Sequence, residues 1–171
     1  GARLGYAFSS LDNDLSLEEI SALVDVFYIG GTKNGAMFGE AIVVTNPFIL
    51  EDLDFHMKQK GGLMAKGRFL GVQFSTLFKD NLYLDLAGHA NQQAMKIKNK
   101  LQELGFDFLS ETSTNQIFPI LKNHQIEILL KDFEFYVWKK IDGEHSAIRL
   151  ITSWATPDDA VERFIAHLEK L

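Results

Sequence analysis

Gly30-Gly31-Thr32-Lys33-Asn34-Gly35 sits between two apolar runs. Leu23 to Ile29 precedes it, interrupted only by Asp25, and Ala41 to Val44 follows. The first run is too dense for a strand with one wet face, so a buried strand is expected there. A lysine is then presented at a strand end, between glycines that let the backbone approach a ligand closely. The plainer reading of Lys33 is a solvated loop residue. The chemical reading is an amine that condenses with a carbonyl compound to form a Schiff base.

Outward from this loop, the composition narrows the function classes. The chain has 171 residues, 46% hydrophobic and 23% charged, with a net charge of -6. That is the balance of a globular domain, or of one domain and part of another. The acidic charge argues against nucleic acid and anionic membrane surfaces as partners. The absence of cysteine excludes disulfides, thiol catalysis and thiolate metal sites. No run has membrane-spanning length and no signal peptide opens the sequence, which favours the cytoplasm.

Toward the amino terminus, Ser16 with Glu19 forms a capping-box pattern, so a short helix to about Ala22 is expected. After the lysine loop, Ala41 to Thr45 reads as the return strand of a hairpin-like pair. Asn46-Pro47 reads as a helix start. From Asp52 to Phe78 the pattern is helical with a break at Gly61-Gly62, and Met64, Leu70, Phe74, Leu77 and Phe78 are expected on one face. A second helix is expected from about Asn81 to Leu104, with Leu86, Ala90, Ala94, Ile97, Leu101 and Leu104 inward and Gly105 as its stop.

The remainder changes character. Phe106 to Leu109 and Asn115 to Leu121 read as short strands, the second weakened by Pro119. Asn123 is expected to cap a helix carrying Ile126, Leu129 and Leu130. Phe133 to Lys139 alternates as a strand, Asp142-Gly143 signals a hairpin, and Ala147 to Trp154 returns. Thr156-Pro157-Asp158-Asp159 is expected to cap a last helix with Val161, Phe164, Ile165 and Leu168 inward.

Few residues invite chemistry. There is no nucleophile elbow and no phosphate-binding P-loop. His56, His89, His124, His145 and His167 lack metal-ligand spacing and read as surface histidines, so no metal is expected. The basic residues of interest are Lys33, Arg3 and Arg149. For Arg149 the plainer reading is a rim position or a salt bridge to a nearby helix, for Arg3 a structural ion pair, and spacing alone does not unite the three.

A resemblance unites them. Gly1-Ala2-Arg3-Leu4, the lysine loop, Gly61-Gly62-Leu63-Met64 and Ile148-Arg149-Leu150-Ile151-Thr152 occur in that order. Together they resemble the carboxy-terminal half of the low-specificity threonine aldolases, β-eliminating lyases of the fold-type I pyridoxal-phosphate group. The resemblance implies an α/β fold: a partial large domain of a fold-type I transferase plus a small α+β carboxy-terminal domain. Residues 1–50 would be the remnant of the cofactor-binding domain, 51–80 connecting helices and 81–171 the small domain.

By the same resemblance, Lys33 is the catalytic lysine that carries pyridoxal 5'-phosphate. Arg3 and Arg149 match arginines that hold the substrate carboxylate, and Arg3 also falls beside the cofactor. A planar guanidinium suits a carboxylate because it binds bidentately. The implied reaction cleaves a threonine-like β-hydroxy-α-amino acid to glycine and an aldehyde.

The family's pyridine-nitrogen aspartate would immediately precede Gly1, and its stacking histidine and phosphate-cradling segment lie in the amino-terminal half. The chain is therefore expected to hold an incomplete site, with the cofactor largely absent from it alone. Ala65 stands where many relatives have arginine, with Lys66 and Arg68 nearby. The implied partners are a small amino-acid substrate, and another copy or the amino-terminal half. Two other readings stay open: β-elimination of a different amino acid, and a non-catalytic unit of assembly.

Overall fold

A computed structural model describes all 171 residues. They divide into two compact units, residues 1–8 with 13–86, and residues 9–12 with 87–171.

The first unit begins with helix α1 (Leu4–Phe8) and helix α2 (Leu17–Leu23). The Ser16 hydroxyl accepts from Glu19 N at 3.1 Å and the Glu19 carboxylate accepts from Ser16 N at 2.7 Å, so the capping box closes both ways. Strand β1 (Val26–Gly30) then pairs antiparallel with β2 (Glu40–Val44), from Val26 opposite Val44 to Gly30 opposite Glu40. Helices α3 (Pro47–Leu50), α4 (Leu53–Gln59) and α5 (Arg68–Leu77) follow. Asn46 caps α3 through a 2.9 Å bond from Phe48 N, with Pro47 at the first helical position. Ile29, Ala36, Leu77 and Tyr83 form the unit's small core.

Two expectations are corrected here. The apolar run is not a buried strand: Leu23 ends α2, the strand starts at Val26, and Val26 and Tyr28 are each 42% exposed. Apolar density reports what a strand can bury. Coverage depends on neighbours, and β1 pairs only with β2. Met64 lies in the non-helical stretch before α5 and is exposed, because the break at Gly61-Gly62 extends to Gly67.

Helix α6 (Leu82–Glu103) contributes its first residues to the first unit and the rest to the second. In the second unit Ala94, Ile97 and Leu101 pack with Ile148 of strand β6 (His145–Ile151) and with Val161, Phe164 and Leu168 of the last helix, α8 (Asp158–Leu168). Strand β6 is the common antiparallel partner of β3 (Gln116–Ile117), β4 (Ile120–Lys122) and β5 (Tyr136–Lys140). Helix α7 (Asn123–Leu129) places Ile126 and Leu129 in the same core. The two sheets are separate.

Proline explains one departure: Pro119 lacks the ladder donor, so the expected strand from Asn115 splits into β3 and β4 around it. The segment 106–109 is reduced to a bridge between Phe108 and Pro119. Phe133 and Phe135 precede β5 instead of lying in it, and Phe133 packs edge-on against Phe164 at 4.9 Å. Asn123 does not cap α7; it is the first helical residue, and its side chain bonds Gly143 O and Ser146 Oγ. Thr156 does not cap α8; its hydroxyl accepts from Ser153 N at 2.8 Å. Both side chains found partners outside the helix they precede or begin, and such bonds compete with a cap.

Candidate functional site

The lysine loop is held by its backbone and leaves its lysine free. Asn34 N and Ala36 N both donate to Gly31 O, at 2.9 and 3.1 Å, closing a tight turn. Gly35 takes φ +99°, a conformation that glycine adopts without steric cost. The buried Asn34 donates Nδ2 to Tyr83 O at 2.6 Å, and the Tyr6 hydroxyl donates to the Lys33 carbonyl. The Lys33 side chain is exposed and makes no ion pair. The loop thus presents an amine on a pinned backbone.

Two tyrosines support it. Tyr83 is 4% exposed; its hydroxyl donates to Gly30 O at 2.8 Å and accepts from Gly5 N at 3.2 Å. It therefore ties the end of β1 to an otherwise unpaired amide in the first turn of α1. Tyr6, on α1, ties the same helix to Lys33. Burial pushes both phenols above their ordinary pKa; the Arg3 charge partly offsets this at Tyr6, and the bond from Gly5 does so at Tyr83.

Arg3 belongs to this first unit, just before α1, with its charge beside Tyr6. The adjoining backbone docks on the loop's start. Gly30 N donates to Gly1 O at 3.1 Å, and a Cβ on Gly30 would lie 2.6 Å from Ala2 Cα. Tyr6 thus neighbours both the Lys33 backbone, through its hydroxyl, and the Arg3 charge. Arg3 is half-buried, makes no ion pair, and its Nε is buried without an acceptor.

Arg149 stands in the second unit, on β6. It too makes no ion pair, so the salt-bridge alternative fails while the rim position does not, and its Nε is buried without an acceptor. Its guanidinium carbon lies 5.0 Å from the Tyr136 ring centroid and 4.8 Å from that of Trp138. Both arginines therefore keep guanidinium donors for a planar anion, and an orphaned buried donor costs about 1–3 kcal/mol until it finds one.

Ala65, Lys66 and Arg68 lie at the start of α5 and before it, all exposed. His89 bonds Thr156 O at 2.8 Å, His145 pairs with Asp142 at 3.1 Å, and His167 with Asp132 at 3.5 Å, so these three have structural partners.

Sequence reading missed Tyr6 and Tyr83. The available signal was a hydroxyl within an apolar segment, since a buried tyrosine needs a partner for its OH. Trp138 was missed too.

Comparison with known proteins bears on this arrangement. A low-specificity L-threonine aldolase of Pseudomonas sp. (strain NCIMB 10558) is 31% identical over 98% of this chain and 48% of its own length. One from Pseudomonas aeruginosa is 34% identical over 94% of this chain and 46% of its own. The chain is a relative of the low-specificity threonine aldolases. It spans about half the length of the curated relatives it matches. The solved threonine aldolase of Leishmania major superposes with a TM-score of 0.94 at 43% identity, covering 99% of this chain and 50% of that one.

Serine palmitoyltransferase of Sphingomonas wittichii superposes with a TM-score of 0.61 at 15% identity, covering 97% and 44%, which speaks for the fold alone. The fold is thus a partial α/β fold of the fold-type I pyridoxal-phosphate enzymes, as the resemblance implied. No family profile matches the chain. No helix is long and apolar enough to cross a membrane.

Proposed function

We propose that this chain is the carboxy-terminal half of a pyridoxal-phosphate-dependent aldolase that cleaves threonine or allo-threonine to glycine and acetaldehyde. The observation that carries the reading is Lys33: an exposed amine without an ion pair, on a loop whose backbone is fixed by Tyr6, Asn34 and Tyr83. An amine so presented fits covalent attachment of an aldehyde cofactor. When bound, pyridoxal phosphate supplies a sink for the electron pair left at Cα as the Cα–Cβ bond breaks.

The chain's own residues have separate tasks in this proposal. Lys33 Nζ holds the cofactor in the resting protein. When not engaged in that role, the same amine would hold or move a proton at the reacting carbon. Arg149 would donate from its guanidinium edge to the amino-acid carboxylate, and Arg3, in the first unit and beside the cofactor, would likewise donate to a carboxylate. Pinning the loop fixes where Nζ starts its reach, which lowers the orientational cost of each step.

In the same proposal, residues 1–50 are a remnant of the cofactor domain, 51–80 connecting helices and 81–171 the small domain. A second copy or an amino-terminal half is the proposed partner. Exposed Phe48, Phe55, Met37 and Ile42 of the first unit, 70–85% accessible, support it.

The test is product analysis with the whole protein that carries this chain. Threonine should yield equal glycine and acetaldehyde, and Lys33→Ala should abolish both. A 2-oxo acid with ammonia would transfer the protein to β-elimination. No turnover by the loaded whole protein would favour a role in assembly only.

A further inference from the structure

The environment of Arg149 carries a second inference. Strand β5 pairs with β6 in register at Tyr136 opposite Arg149 and Val137 opposite Ile148, then shifts between Val137 and Lys139. Trp138 is the residue left over at that bulge. Bulges re-aim side chains, and this one sets the Trp138 ring 4.8 Å from the Arg149 guanidinium carbon. Tyr136 approaches the same group at 5.0 Å. Phe118 backs Trp138, with ring centroids 5.5 Å apart and planes at 56°.

Such support differs in kind from an ion pair. A carboxylate partner would consume two of the guanidinium donors. An aromatic face attracts the cation through its quadrupole and accepts no in-plane hydrogen bond. The Arg149 side chain is thereby restrained while its donors stay unspent, and its Nε is indeed buried without an acceptor. Tyr136 and Trp138 are themselves 67% and 51% exposed, so burial does not account for large rings at both positions.

We propose that Trp138 and Tyr136 are positioning residues for recognition of the amino-acid carboxylate: they restrain the Arg149 guanidinium so that its free edge faces the ligand. This rests on the reading of Arg149 as a carboxylate binder. The ligand class is an α-amino acid, distinguished from its amide or ester by the anionic group.

Isothermal titration of the whole, cofactor-loaded protein with glycine and with glycinamide separates the possibilities. Trp138→Leu should weaken glycine binding by roughly three- to tenfold and leave glycinamide unchanged. Trp138→Phe, which keeps an aromatic face, should recover much of the loss. In an Arg149→Leu background, Trp138→Leu should add less than about twofold, because the ring then has no cation to hold.

Equal loss for both ligands, or a full additional loss in the Arg149→Leu background, would overturn the inference. If Arg149→Leu weakens glycine but Trp138→Leu does not, the positioning role alone falls. If Arg149→Leu leaves glycine binding intact, the carboxylate reading falls and takes this inference with it. Should Trp138→Leu fail to fold, Tyr136→Leu carries the same comparison.

Discussion

Removing the Tyr83 hydroxyl tests how the lysine loop is held. Tyr83→Phe keeps the ring, which packs at 5.6 Å from Phe78, and deletes only the oxygen between Gly5 and Gly30. The Gly5 amide is then stranded in a buried place, at about 1–3 kcal/mol, and the bond to Gly30 is lost, at about 0.5–1.5 kcal/mol. Together the first unit should lose about 2–4 kcal/mol, or roughly 30- to 1000-fold in its opening equilibrium at about 1.4 kcal/mol per decade.

Amide hydrogen exchange on the 171-residue chain reads this locally. The amides of Gly5, Asn34 and Ala36 should exchange faster by about that factor, while Ile148, in the other unit's core, should change far less. Unchanged exchange at Gly5 and Asn34, or an equal acceleration at Ile148, would refute the claim that Tyr83 holds this loop.

Three further outcomes are expected. Gly30→Ala should cost about 1–3 kcal/mol in urea unfolding, because its new Cβ meets the Ala2 backbone at 2.6 Å and backbone cannot swing aside. Alkaline pH should destabilise the first unit. Tyr6 and Tyr83 are raised above 10.0 by burial, so the fold favours the protonated phenols. That contribution is full below about pH 10 and is lost as pH rises through the folded values; urea midpoints should fall there, less steeply in Tyr83→Phe. Arg149→Leu in the whole protein should lower kcat/KM for threonine by roughly ten- to hundredfold, read from initial rates, because one charge-assisted contact is lost.

Features written in adjacent residues were legible in the sequence. Ser16 with Glu19, Asn46 with Pro47 and the Asp142-Gly143 turn each work through partners a few positions away, and each formed as expected. The helical face of α6 was legible for Ala90, Ala94, Ile97 and Leu101, which spacing places inward, but not for Leu104, which follows the helix end at Glu103 and is 40% exposed. The support of the site was not. Tyr83 reaches Gly5 across 78 positions and Gly30 across 53, and no local pattern encodes such a bond.

Cap signals failed where another partner competed, Ser146 for Asn123 and Ser153 for Thr156. The apolar run before Lys33 misled for a different reason: hydrophobicity states a requirement for cover and is silent on which chain supplies it. Arg149 fell between these cases. Its motif pointed to the residue, but the rings that hold it depend on a register shift at Trp138 that alternation in β5 conceals.

The most direct measurement is borohydride reduction of the whole protein loaded with pyridoxal phosphate, followed by peptide mass mapping. Reduction fixes an imine as a stable secondary amine, so the attachment point survives digestion. One phosphopyridoxyl group per chain is expected, on the peptide containing Lys33, and none in Lys33→Ala. Stoichiometric labelling at another lysine, such as Lys66, with Lys33 unmodified, would contradict it.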